Sequence, residues 1–157
     1  MASKQKRVFL VVADKSSEMK LALRYACRRA VGIDGRIALL HIMESADFQH
    51  WVGVGDLYRQ ERREEGEELI AELTDIVKEQ TNKKPIVYFR EGEAGPALYD
   101  FLNEEKSIKV VVIATGVEGD GPGPIINYIL SKGIAHLPKP FIIVPGSMSM
   151  DEIDDLT

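Results

Sequence analysis

Two segments carry residue types that could handle a small ligand. Asp14, Lys15 and Ser16 follow directly on the apolar run Val8 to Ala13 and set a carboxylate, an ammonium and a hydroxyl side by side. Further on, Thr115 leads into a stretch holding Gly116, Gly119, Gly121 and Gly123. Glycines let backbone amides approach a phosphate closely, because no Cβ stands in the way. The same stretch opposes that use: Glu118 and Asp120 repel phosphate, and Pro122 and Pro124 have no amide hydrogen to donate. It reads as a flexible or differently shaped loop ahead of a divergent phosphate cradle.

Catalytic machinery is harder to find. The chain has no GxxxxGK[ST] loop, nucleophile elbow or HExxH helix, and none of His41, His50 and His136 adjoins a nucleophile. His41 lies inside an apolar run, where a hydrogen-bonded core histidine is the expected reading ahead of a catalytic base. Cys27 is the single cysteine and has apolar neighbours at helical spacing, so a plain buried thiol is expected. One cysteine and no Cys/His cluster exclude an internal disulfide and a zinc site, and fit a reducing cytoplasm. No catalytic residue and no metal are expected.

The elements that must position these residues show in the hydrophobic pattern. Val8 to Ala13, Ile37 to Met43, Ile86 to Phe89, Val110 to Thr115 and Phe141 to Val144 are mostly continuous apolar runs, as strands covered on both faces are. Helical spacing separates them. Met19, Ala22, Leu23, Ala26, Cys27, Ala30 and Val31 share one stripe, with Ser16 or Ser17 as the expected cap and the Gly32 to Gly35 stretch as the stop. A second helix is expected from near Asp56, and a third with Pro96 in its first turn. A fourth runs from Pro124 to His136, with Ile126, Ile129, Leu130, Ile134 and Leu137 turned inward. Alternating strands and helices with right-handed crossovers predict an α/β fold: a single doubly wound, five-stranded parallel sheet of order 3-2-1-4-5 with helices on both faces. The switch point of such a sheet lies between its first and fourth strands and opens a crevice at their carboxyl ends. The turn from Asp14 to Ser16, the end of the second strand at Met43 and Glu44, and the stretch from Thr115 to Pro124 all meet there.

The 157 residues suit one domain, expected over residues 8–146 between a flexible N-terminus (1–7) and a mobile acidic tail (147–157). A formal net charge of −5 works against nucleic acid as a partner, and no apolar stretch is long enough to span a membrane. The connection from Glu44 to Gly55 carries Phe48, His50 and Trp51, which suits a lid, a contact surface or packing over the sheet.

Three landmarks together resemble the universal stress protein family over nearly the whole chain: the strand ending Val11-Val12-Ala13-Asp14, the strand Leu39-Leu40-His41-Ile42, and the closing Pro138-Lys139-Pro140-Phe141-Ile142-Ile143-Val144. The resemblance implies an adenine-nucleotide-hydrolase-like fold, no established catalysis, and a homodimer joined through the last strand, Phe141, Ile142, Ile143 and Val144. It also implies a nucleotide site in some members, with Asp14 near the ribose, the backbone at Ala13 and Ile42 near the adenine, and a Gly-x2-Gly-x9-Gly-[Ser/Thr] motif around the phosphates. Counted back from Pro140, those motif positions hold Ala114, Val117, Asn127 and Tyr128; a shifted frame supplies Gly116 and Gly119 but puts Ile129 at the third glycine. A non-catalytic dimeric stress-response regulator or interaction module with a degenerate nucleotide site is therefore the leading expectation, with no cofactor. The alternative is an ATP-binding switch using Asp14 and the Gly116 to Gly123 loop, with weak ATPase activity left open.

Overall fold

The computed structural model describes residues 7–44, 54–117, 119 and 121–157. Expectations for residues 1–6, for the Phe48, His50 and Trp51 segment, and for Glu118 and Asp120 lie outside the described residues. The chain runs β1 (Val8–Val12), α1 (Met19–Gly32), β2 (Arg36–Met43), α2 (Val54–Thr81), β3 (Ile86–Glu91), α3 (Ala94–Glu104), β4 (Ile108–Ala114), α4 (Pro124–Lys132), a 3₁₀ turn (Ile134–His136), β5 (Phe141–Val144) and α5 (Met150–Leu156).

Among the described residues, five strands form one parallel sheet of order β3-β2-β1-β4-β5, the predicted doubly wound arrangement. Every residue of the central strand β1 is buried, which is why its sequence does not alternate. Odd residues of β1, Phe9 and Val11, join Met19, Leu23, Ala26 and Cys27 of α1, Leu73 and Val77 of α2, and Ile153 of α5. Even residues, Val8, Leu10 and Val12, join Leu98, Phe101 and Leu102 of α3 and Ile126 and Ile129 of α4. The period of two sorts one strand into two cores. Burial pushes the Cys27 thiol up to about 12, so it stays a protonated packing group.

Three local expectations need correction. Neither Ser16 nor Ser17 caps α1: the helix begins after Glu18 without a side-chain cap, because the Ser16 hydroxyl is taken by Asp14. The fourth helix does not reach His136; Gly133, at φ +93°, ends it, and the turn that follows leaves Leu130 and Ile134 facing outward.

The third correction concerns the acidic tail, which is not free over residues 147–157. Residues 150–156 form α5, started by a reciprocal capping box in which the Glu152 amide donates to Ser149 Oγ (3.1 Å) and the Ser149 amide to Glu152 Oε1 (3.3 Å). Ile153 is fully buried against α1. Arg24 grips Asp154 with two bonds, Nε to Oδ1 at 2.7 Å and a second guanidinium nitrogen to Oδ2 at 2.8 Å. One apolar anchor and a bidentate ion pair hold a segment whose composition alone suggests disorder.

Candidate functional site

The carboxyl ends of β1 and β4 part where their helices leave on opposite faces, and a cavity of about 170 Å³ opens between them. Much of its wall is apolar, with Val12, Met19, Ile42, Val112 and Ile113 among the lining residues. Ala13, Asp14, Ile42 and Gly123 line it as the sequence suggests; Thr115, Gly116, Gly119 and Gly121 do not.

Asp14 organises the turn after β1. Its Oδ1 accepts from the Ser16 amide at 2.8 Å and from the Ser16 hydroxyl at 2.5 Å, a local closure of the kind Asp makes before helices. Ala13 is pinned from both sides: its N–H donates to the Leu40 carbonyl (2.8 Å), and its carbonyl accepts from His41 Nδ1 (2.9 Å). A carbonyl only accepts, so Nδ1 carries the hydrogen. Gly66 of α2 lies against the same imidazole, and a Cβ there would come within 2.7 Å of its ring. His41 thus buttresses the crevice from behind and does not line it.

The Thr115 to Pro124 side is folded in upon itself. The Thr115 amide donates to the Val144 carbonyl (2.9 Å) and the Thr115 hydroxyl accepts from the Gly146 amide (2.9 Å), so Thr115 serves the β4–β5 seam. The Gly116 amide donates to the Pro122 carbonyl at 3.0 Å. Gly119, Gly121 and Gly123 have φ of +88°, +105° and +117°, and a Cβ on any of them would meet nothing within 4 Å. Within the chain these glycines make the turns of the loop; they do not relieve a close contact.

Three carboxylates line the cavity, Asp14 and Glu44 from the strand ends expected there and Glu18 from the start of α1, and no lysine, arginine or histidine is among the described lining residues. Lys15 turns away to Glu65 of α2 at 3.0 Å, a bond that holds the Glu65 carboxyl below its usual range. Glu18 is the main residue sequence reasoning missed. It precedes α1, and its approach to Gly116, far along the chain, exists only once the sheet is assembled.

A second feature lies at the β5 edge. Phe141 and Ile142 are half-buried and Val144 is buried, whereas Ile143 is 49% exposed. Beside it Leu130 and Ile134 are 57% and 62% exposed, and an apolar groove of about 510 Å³ runs between them and Pro138, Pro140 and Phe141.

A five-stranded parallel sheet with a crevice at its switch point defines a doubly wound α/β protein. A model of the universal stress protein family matches residues 6–145, and the chain belongs to that family. Among curated proteins none matches. Solved structures agree on the fold. A universal stress protein UspA from Lactobacillus plantarum superposes with a TM-score of 0.76 at 13% identity, covering 90% of this chain and 99% of its own. A universal stress protein from Archaeoglobus fulgidus in complex with dAMP gives 0.60 at 16%, covering 88% and 97%. A family member from Arabidopsis thaliana with AMP bound gives 0.56 at 13%, covering 93% and 94%. Helix α5 lies beyond the residues that the family model matches.

Proposed function

We propose that this chain is a non-catalytic, dimeric stress-response regulator or interaction module whose crevice keeps an apolar wall but no triphosphate cradle. The observation that carries this reading is the bond from the Gly116 amide to the Pro122 carbonyl, which spends inside the loop a donor that a phosphate would need. Pro122 and Pro124 contribute no donors, and Asp14, Glu18 and Glu44 oppose a polyanion. Near a partly desolvated site one like-charge contact costs on the order of a few kcal/mol, enough to take a micromolar site to roughly millimolar. Support for the absence of catalysis comes from the side chains: the Ser16 hydroxyl is given to Asp14, and His41 faces the Ala13 carbonyl. The dimer is supported by Ile143, Leu130 and Ile134, apolar and exposed around an edge strand that another copy could pair with. A cytoplasmic location is in keeping with the single, buried Cys27.

The second reading, an ATP-binding switch, draws on the dAMP and AMP bound in two similar structures. Calorimetric titration with MgATP separates the two, together with denaturation of the purified protein and chromatography for released nucleotide. The proposal expects no stoichiometric nucleotide and a dissociation constant above roughly 50 μM; tighter binding gives the site to the switch.

A further inference from the structure

We propose that Glu18 is the specificity determinant of the crevice, setting it to accept an uncharged nucleoside and to refuse the same nucleoside once phosphorylated. The inference deepens the function proposed above and rests on it. A cavity of about 170 Å³ is below the usual size of ligand clefts, roughly 300 Å³ and upward, and suits one planar ring system with a short polar extension. Val12, Ile42, Val112 and Ile113 give that ring an apolar seat. Asp14 lines the cavity and supplies an acceptor: both Ser16 bonds fall on Oδ1, which leaves Oδ2 to accept from a ligand hydroxyl.

What lies on the far side of that seat decides the charge. Glu18 lines the cavity, half-buried, with Oε1 directed at the start of the β4–α4 loop; a Cβ on Gly116 would stand 3.4 Å from it. A phosphate reaching toward that loop would therefore meet a carboxylate, and the Gly116 amide beside it is already given to Pro122. The start of α4 favours an anion through its dipole, but Pro124 withholds an N–H there. One weakly donating helix end faces three carboxylates with no cation among the described lining residues, so the balance is against charge on the ligand.

The test titrates the full chain with adenosine, AMP and MgATP, in the parent protein and in Glu18→Gln, at about 50 mM and about 500 mM salt. Adenosine should bind the parent at least about tenfold more tightly than AMP at low salt. The gap should narrow severalfold at high salt, where repulsion is screened, whereas a phosphate site held by cations weakens with salt. Glu18→Gln should narrow it further, chiefly by tightening AMP. The salt series reads repulsion from all three carboxylates together, so if Glu18→Gln fails to fold, which its melting curve reports, Glu18→Ala takes its place. AMP binding as tightly as adenosine in the parent, a gap indifferent to salt, a gap unchanged by the Glu18 substitution, or no adenosine binding at millimolar concentration would each overturn the inference. With MgATP still weak, any of these leaves the proposed function standing; tight MgATP binding removes both.

Discussion

The two faces of the sheet are finished differently. On the face covered by α1 and α2, the chain closes its own core: α5 returns, buries Ile153 and locks Asp154 to Arg24. On the face covered by α3 and α4, the chain stops short: α4 ends at Gly133, and Leu130, Ile134 and Ile143 remain exposed around the β5 edge. The difference teaches that one core is completed from within, by residues beyond the matched family region, while the other presents the kind of surface a second copy would complete. The crevice opens where the two faces part, and its chemistry reflects both: an apolar wall from the buried strands and a loop folded in upon itself.

The largest effect should come from breaking the closed face. Ile153→Ala removes a fully buried side chain and should lower unfolding stability by about 3 kcal/mol, read as a fall in urea midpoint, with faster amide exchange in α5. A change below about 0.5 kcal/mol would mean that α5 is an ornament of the fold and that both faces are equally open. On the other face the effect should fall on assembly. Ile143→Lys, at a half-exposed position, should leave monomer stability within about 0.5 kcal/mol and weaken dimerisation at least about a hundredfold, measured by sedimentation. A monomeric parent protein, or a variant as dimeric as the parent, would contradict the comparison.

Between the faces, Asp14→Ala deletes the acceptor that closes the turn onto Ser16 and should cost about 1 kcal/mol, a shift of a few degrees in melting temperature. Unchanged stability together with altered ligand binding would make Asp14 a contact residue in place of a structural one. The smallest effect concerns pH. The bond from Arg24 holds the Asp154 carboxyl below its ordinary range, with Arg28 adding attraction. A depressed carboxyl contributes stability above its unfolded value, near 3.9, and loses it as pH falls through the folded value. The stability gap between the parent and Asp154→Asn should therefore be level from about pH 7 to 5 and close below about pH 4; a gap that persists in acid would assign the role to shape, not charge.

Much of the fold was legible because buried parallel strands write themselves as apolar runs: Val8 to Ala13 and Phe141 to Val144 coincide with β1 and β5 to within a residue, and the sheet order follows from handedness. Helix α5 was obscured by composition, since a segment with one buried apolar residue and four carboxylates resembles a free tail. Its one clear signal was Ser149 three residues before Glu152, a capping box that needs no apolar face. The outward turn of Leu130 and Ile134 was hidden by a stripe that continues across Gly133, where only the backbone angle breaks it. In the crevice, Ala13, Asp14 and Ile42 could be read from strand ends and Gly123 from the glycine-rich stretch, whereas the meeting of Glu18 with Gly116 depends on a packing distance that no spacing encodes.

Native mass spectrometry of the purified protein tests the central claim most directly, because one spectrum reports the oligomer and whatever it retains. A dimer at twice the chain mass without nucleoside triphosphate is the predicted result; a monomer, or a species carrying one ATP per chain, would contradict it.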